Sequence, residues 1–367
     1  MPSPFFPIRE TNRSPDDAIQ LAKYLGGKLS GTSEVVEEYE KELSIWFGAK
    51  YAVSVSSGSA ALYAALHIAG AGPGKEVIVP AIAPIPTVLP VLAAGATPVF
   101  VDTNPTDFGT SISDLRKIIT PHTVAFLSVP LWGYPFDQID LFEEVRSFGI
   151  KVVEDAAQAH GSQYGKRFVG TVGDIGCFST HDNKPLSTGE GGFILTNDAA
   201  IYERLRSITR LGGLDGFHFG WNYKLSGLCA AYGTIQLRKL RSVISKKRAS
   251  AEKIISSISH LPFREISFAA GGIQNCYSLV LTADPARYDV PLLRRLHHEE
   301  GIESDFVKYG YDVAYKRAIF QRYSRTCPNA ERLVSGTLPL PCHVSMNERL
   351  VARVADVLAL TVAQAER

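Results

Sequence analysis

Between Tyr51 and Glu154 short apolar, β-branched runs alternate with stretches of helical character, and this alternation limits the possible folds more than any other feature. Tyr51 to Ser56 reads as a buried strand and the Ala- and Leu-rich stretch Gly58 to Ile68 as a helix. Val77 to Val79, Thr97 to Val101, Thr123 to Val129 and Lys151 to Glu154 read as further strands. Asp137 is placed to cap a helix running through Phe148, with Gly149 suited to the position after its end. Strands that recur with helices between them predict an α/β chain with a mainly parallel sheet covered on both faces.

Residues 77–101 carry no charge and are numerous enough to span a bilayer. They also contain Pro80, Pro84, Pro86, Pro90 and Pro98. Each proline removes a backbone donor and resists a helix interior, so strand, short helix and strand is the better reading. The pattern changes near residue 245. Val243 to Ile258 reads as a long helix with a polar face, Cys276 to Thr282 as a strand and Pro291 to Glu300 as a helix. This divides the chain into a large domain, residues 1–245, and a smaller C-terminal α+β domain, residues 246–367, joined within the long helix.

A formal net charge of +1, with 20% charged residues, offers no basic field for nucleic acid or an anionic membrane. Cys177, Cys229, Cys276, Cys327 and Cys342 are scattered, odd in number and without a C-x-x-C pair. That excludes a zinc-ribbon pattern or disulfide framework and suits a reducing cytoplasm. The N-terminus has no charged region followed by an apolar core, so no signal peptide is read there.

Three segments carry candidate chemistry. In Val55–Leu62 a strand ends, Gly58 turns the chain and a helix begins. The N–H groups at such a start, with the hydroxyls of Ser57 and Ser59, suit an anion, and the same residues equally suit an ordinary cap. In Val152–Ser162 a strand delivers Asp155 at its carboxyl end, where open α/β sheets place ligands. Asp155 there serves a protonated ring nitrogen or caps a following helix, and Gln158 and His160 follow within reach of the same pocket. In Gly173–Asp198, Lys184 lies among small polar residues between Ser179 and the Thr188–Gly192 stretch TGEGG. A surface lysine fits that description. So does a nucleophilic one, because nearby glycines let the backbone pass close to a bound ring.

The order of these segments decides between the readings. A phosphate-type turn, then a carboxylate, then a lysine is the order of fold-type I pyridoxal 5'-phosphate (PLP) enzymes. The stretches GKLSGTSEVVEEYEKELSIWFGAKYAVSVSSGSAAL, GATPVFVD, EDAAQAHGS, CFSTHDNKPLSTGEGG and GWNYKLSGLCAAYGTIQL together resemble the DegT/StrS-type aminotransferases, which act mainly on keto sugars and aminocyclitol precursors. The likeness is strong from about Tyr24 to Leu237 and weaker beyond.

The resemblance implies a transaminase that passes an amino group from glutamate or glutamine, through PLP and its amine form PMP, to a ketone on a sugar or cyclitol. It implies that Lys184 forms the Schiff base and moves the proton. Asp155 would pair with the pyridinium nitrogen and Gln158 would contact the ring hydroxyl side. Gly58, Ser59 and Ser179 would hold the phosphate. Asn222 would reach the phosphate of a neighbouring subunit, making a homodimer the active unit. His160 is expected to brace Asp155, and His181 to line the pocket.

Two positions depart from the family pattern. Pro84 stands where a ring-stacking aromatic is usual, with Ala83 at the preceding threonine position, and Lys224 stands where arginine is more common. Lysine does not fork onto a carboxylate as arginine does. The alternatives are another PLP reaction on an unusual substrate, a PMP-dependent dehydratase, or a PLP-binding regulator. In the dehydratases of this family a histidine replaces the lysine, and Lys184 is present here. The chain has no basic run of the kind that binds DNA.

Overall fold

The computed structural model describes residues 12–367, so the N-terminal stretch in which no signal peptide is read lies, through residue 11, outside the described residues. Helices α1 (Pro15–Ala22) and α2 (Glu34–Phe47) lead into β1 (Tyr51–Val55) and α3 (Gly58–Ile68). Then come β2 (Glu76–Pro80), α4 (Ile85–Ala93), β3 (Thr97–Val101), α5 (Ile112–Ile118), β4 (Thr123–Ser128), α6 (Ile139–Ser147) and β5 (Lys151–Asp155). A short hairpin, β6 (Gln163–Tyr164) and β7 (Arg167–Phe168), precedes β8 (Ile175–Ser179), β9 (Gly192–Thr196) and α7 (Ala199–Thr209).

The main sheet has seven strands in the order β1-β9-β8-β5-β4-β2-β3. The pairs from β8 through β3 are parallel, and β9 runs antiparallel to both β8 and β1. The uncharged run of residues 77–101 is therefore β2, α4 and β3, with Pro86 in the first turn of α4 and Pro90 inside it. Successive residues of β2 serve opposite faces. Val77 and Val79 pack with α3 residues such as Leu62 and Leu66, whereas Ile78 packs with Leu43, Phe126 and Val152.

Two local expectations are corrected. Gln138, not Asp137, stands at the N-cap of α6, and no side chain caps that end; Gly149 does take the left-handed position after it, at φ 76°. The strand expected from Cys276 begins only at Leu279, because Cys276 is left-handed at φ 52° and takes its segment off the extended path.

Helix α8 (Gly227–Ser257) starts well before the expected Val243, capped by Ser226, whose Oγ accepts the Cys229 N–H at 3.3 Å. Its Leu237, Leu240 and Ile244 join the core against the main sheet. Further along, Ala251, Ile254 and Ile258 join a second core. That core draws on β11 (Leu279–Thr282), α9 (Val290–Glu299), β12 (Thr337–Leu340) and α12 (Glu348–Val362), and β10 (Arg264–Glu265) completes a three-stranded antiparallel sheet with β11 and β12; α10 (Asp305–Lys308) and α11 (Pro328–Gly336) make up the rest of the C-terminal part. The C-terminal part is not packed on itself alone. Phe306, Val313, Phe320, Ala330 and Val334 belong to the core of the main sheet. Asp102, just past β3, accepts the Asn329 and Ala330 N–H groups at 3.1 and 2.9 Å and so caps α11 from another part of the chain.

Glu154, the residue before the candidate Asp155, is fully buried. Its carboxylate accepts the N–H groups of Gly170, Val172 and Gly173 at 2.9, 2.9 and 2.6 Å, which pins the loop entering β8. Burial pushes this carboxyl up while the three donors hold it down. Glu154→Ala leaves those donors buried and unpaired and is expected to cost about 3 kcal/mol in urea unfolding. An unchanged unfolding midpoint would show that the nest of N–H groups contributes nothing.

Among the described residues no helix is long and apolar enough to cross a membrane, and no group of three or more His, Cys, Asp or Glu side chains is placed to hold a metal ion. All five cysteines are free thiols.

Candidate active site

The turn from β1 to α3 is shaped by two commitments. Ser57 is the N-cap, and its Oγ accepts the Ala60 N–H at 3.0 Å. That bond uses a lone pair of the hydroxyl oxygen and leaves its O–H as a donor at the cavity that Ser57 helps line. The N–H groups of Gly58 and Ser59 belong to the first turn, which has no intrahelical acceptor, and the positive end of the helix dipole lies there. Glycine at 58 is required by closeness: a Cβ would stand 2.7 Å from the Cβ of Ser179. That approach brings Ser179, the last residue of β8, against the start of α3.

The glycines after Lys184 were expected to let the backbone pass a bound ring. At Gly192 the crowding comes from the protein itself. A Cβ there would lie 2.5 Å from the Phe178 carbonyl oxygen and 2.8 Å from that of Ser57.

Asp155 ends β5 and is buried. Residues 156–162 form turns, so it caps no following helix. Thr87 Oγ1 donates to Asp155 Oδ2 at 2.6 Å, and the Ala157 N–H donates to Oδ1 at 3.2 Å. Burial pushes the Asp155 carboxyl up, opposed by those two donors and by the charge of Lys184. Thr87 is a site residue missed in the sequence, although its hydroxyl stands out in the otherwise apolar stretch from Ala81 to Val91.

Lys184 is half-buried. Its Nζ donates to the Tyr277 hydroxyl at 3.3 Å and lies 4.9 Å from the centre of the Tyr277 ring. Tyr277, a second residue missed in the sequence, comes from the segment leading into β11, so the small sheet helps hold the lysine.

Asp155, Lys184, Gly58, Ser59, Ser179, Gln158, His181, Pro84 and Thr87 line one cavity of about 300 Å³. An adjoining chamber of about 500 Å³ shares Pro84, Gln158, His181 and Lys184 and adds Tyr277, Asp305, Tyr309, Tyr311, Asp312 and Arg317. The Gln158 side chain is fixed by the Trp132 N–H, which donates to Oε1 at 2.6 Å. His181 is exposed at the rim, with its Nε2 3.8 Å from Glu190.

Three expected residues line neither chamber. His160 does not brace Asp155. Its ring is fully buried with an edge toward Phe178, centroids 5.2 Å apart, and burial pushes its pKa down to about 3, so it is neutral. Asn222 and Lys224 lie outside both chambers. They pair with each other, Lys224 Nζ donating to Asn222 Oδ1 at 2.5 Å.

The residues present fit PLP. A buried carboxylate faces the cavity that holds the Lys184 amine, and a helix start lined by Gly58, Ser59 and Ser179 opens onto the same space. These are the partners that a pyridine nitrogen, an aldehyde carbon and a phosphate require.

The profile of the DegT/DnrJ/EryC1/StrS aminotransferase family matches residues 15–359. The chain belongs to this family. PLP is the cofactor of this aminotransferase family. Over 330 residues the chain is 32% identical to UDP-N-acetyl-3-dehydro-alpha-D-glucosamine 3-aminotransferase of Acidithiobacillus ferrooxidans, covering 88% of this chain and 87% of that protein. It is 37% identical over 238 residues to GDP-perosamine synthase of Escherichia coli O157:H7, covering 64% of this chain and 65% of that protein's length. Among solved structures, DesV of S. venezuelae in complex with a ketimine intermediate superposes with a TM-score of 0.88 at 28% identity, covering 98% of this chain and 99% of that one. The fold is that of the DegT-type aminotransferases, an α/β architecture with a mostly parallel mixed seven-strand sheet.

Proposed function

We propose that this chain is a PLP-dependent transaminase that moves an amino group from glutamate or glutamine to a ketone on a sugar or cyclitol, in glycan-precursor or secondary-metabolite biosynthesis. The observation that carries the reading is the convergence of Lys184, Asp155 and the start of α3 on one cavity. Two of the relatives named above carry nucleotide-linked sugars in their names, UDP-N-acetyl-3-dehydro-alpha-D-glucosamine and GDP-perosamine, which supports a sugar acceptor. PLP, when bound, supplies an electron sink for the carbon that gains or loses the amine.

The chain's own residues do the rest. Lys184 Nζ forms the covalent attachment and later carries the proton to and from the reacting carbon, held in place by the Tyr277 hydroxyl. Asp155 keeps the ring nitrogen protonated, and Thr87 with the Ala157 N–H holds its carboxylate in one orientation. Gln158 contacts the ring hydroxyl side. Gly58, Ser59 and Ser179 bind the phosphate. Pro84 presents an apolar surface to the ring where an aromatic would add stacking.

The reading extends to a homodimer. Leu214, Phe217, Phe219 and Trp221 are exposed, Phe217 by 92% and Leu214 by 80%, on the segment that leads to Asn222. The exposure of this apolar strip supports its burial against a second copy, with Asn222 of one protomer reaching the phosphate end of the other's cavity.

The test loads the protein with PLP and adds L-glutamate or L-glutamine. One of them is expected to bleach the long-wavelength absorbance of the bound cofactor. A panel of GDP-, UDP- and dTDP-linked amino sugars and aminocyclitols, run in the reverse direction, then identifies the acceptor class. Retained cofactor that no amino donor bleaches would overturn the transaminase reading.

A further inference from the structure

Trp132 lies in a three-residue turn after β4 and is left-handed, with φ 54° and ψ 16°. A bulky non-glycine residue rarely occupies that region, and it persists there only where its surroundings hold it. Two polar contacts hold this one. Its backbone N–H donates to Gln158 Oε1 at 2.6 Å, and its indole Nε1–H donates to Asp305 Oδ2 at 3.0 Å. Its ring stacks on Phe306 with centroids 6.0 Å apart and packs 5.4 Å from Tyr311.

The next residue fixes the turn further. A Cβ on Gly133, at φ 87°, would come within 1.9 Å of Asn275 Oδ1. Asn275 in turn donates through Nδ2 to the carbonyls of Gln158 and His160 at 2.9 and 3.0 Å.

Gln158 lines both chambers, whereas Asp305 and Tyr311 line only the outer one. We infer that Trp132 is a positioning residue that registers the acceptor-side wall, Asp305 and Tyr311, against Gln158 on the cofactor side. The inference rests on the transaminase reading and deepens it. A carboxylate at Asp305 accepts hydrogen bonds from the hydroxyls of a sugar or cyclitol, and an amino-acid donor such as glutamate offers no hydroxyl. The Trp132 indole, through Asp305, therefore governs the acceptor half of the reaction, whereas the Gln158 contact that serves both halves is made by the backbone N–H and survives a change of side chain. A tryptophan that merely filled the core would affect both halves through the same loss of packing.

The experiment uses Trp132→Phe, which keeps an aromatic ring and removes the indole N–H. With L-glutamate or L-glutamine, whichever bleaches wild type, the variant is expected to bleach at the wild-type rate. With the amino sugar that bleaches wild type best in the reverse panel, its KM is expected to rise about 10-fold while kcat holds, as for one lost charge-assisted hydrogen bond. Asp305→Ala and the double variant complete a cycle. If Trp132 acts through Asp305, the double variant loses no more than Asp305→Ala alone. Equal losses in the two half-reactions, or additive losses in the cycle, overturn the inference.

A wild type bleached by no amino donor sinks the transaminase reading, and a crystal structure of cofactor-free Trp132→Phe then decides the inference. Asp305 is expected to shift by about 1 Å or more relative to Gln158, a displacement large enough to spoil binding geometry. Should Trp132→Phe not fold, a crystal structure of Asp305→Ala decides it: displacement of the Trp132 indole is the expected result, and an unmoved indole is the contrary one. An unmoved Asp305 in Trp132→Phe likewise contradicts the inference.

Discussion

Replacing Lys184 with alanine is expected to abolish measurable amino transfer, a loss of about 10⁴-fold or more, because one side chain supplies both the covalent attachment and the proton relay. Folding is expected to survive. The Lys184 ammonium is half-buried, and the bond lost is the long one to the Tyr277 hydroxyl at 3.3 Å, so unfolding free energy is expected to fall by no more than about 1 kcal/mol. PLP is expected to remain associated through Asp155 and the start of α3 and to be removable by dialysis. Lys184→Arg separates charge from chemistry: it restores the cation without a usable nucleophile and is expected to be as inactive as the alanine variant. Circular-dichroism melting alongside the absorbance assay distinguishes lost chemistry from lost fold. Activity of Lys184→Ala within tenfold of wild type contradicts the assignment.

Asp155→Asn is the second large effect. The amide keeps the size of the carboxyl and can still accept from Thr87, but it carries no charge to hold a proton on a ring nitrogen. Breaking one partner of a buried charge pair costs about 3–5 kcal/mol, which corresponds here to a fall of roughly 100- to 4,000-fold in kcat/KM. Asp155→Glu preserves the charge but drives a longer side chain against Thr87 in a buried space, and is expected to recover only part of the activity. Thr87→Val is the informative control. It leaves the charge and removes the 2.6 Å donor, so its loss is expected to be about tenfold. A Thr87→Val variant as damaged as Asp155→Asn would mean that orientation outweighs charge at this site.

The strands of the main sheet were legible where β-branched residues are buried on both sides, as in β2, β3, β4 and β5. The prolines of residues 77–101 told strand-helix-strand from a membrane span, since Pro86 tolerates the first turn of α4 and Pro90 stops the run from forming one long helix. β8 and β9 went unread as strands. Their residues overlap the motif around Lys184, and their partners are set by long-range register: β9 pairs antiparallel with β1, 145 residues away at Tyr51 and Thr196 (196 − 51), and β8 lies between β9 and the parallel β5. Helix α8 was read too short because Gly227 and Gly233 weaken the local helical signal. Gly233 is needed where a Cβ would press on the Tyr39 ring, 2.6 Å from Cζ.

At the site, the meeting of Lys184, Asp155, Gly58 and Ser179 in one cavity is legible from motif order, because each lies at or just past a strand end that the fold brings to one edge. Thr87, Tyr277 and Trp132 could not be read. Their roles come from side chains meeting across long chain separations, as when Thr87 on α4 bonds Asp155 on β5. His160 was misjudged for the converse reason. Nearness in sequence to Asp155 suggested a bond, while the turn at 156–162 sends the ring into the aromatic packing of Phe178 and Phe193.

The most direct test of the central claim is borohydride reduction of the PLP-loaded protein, followed by peptide mapping by mass spectrometry. One pyridoxyl group is predicted per chain, on the peptide containing Lys184, and none after incubation with the amino donor. Label on another lysine, or no label on a protein that retains PLP, would contradict the account.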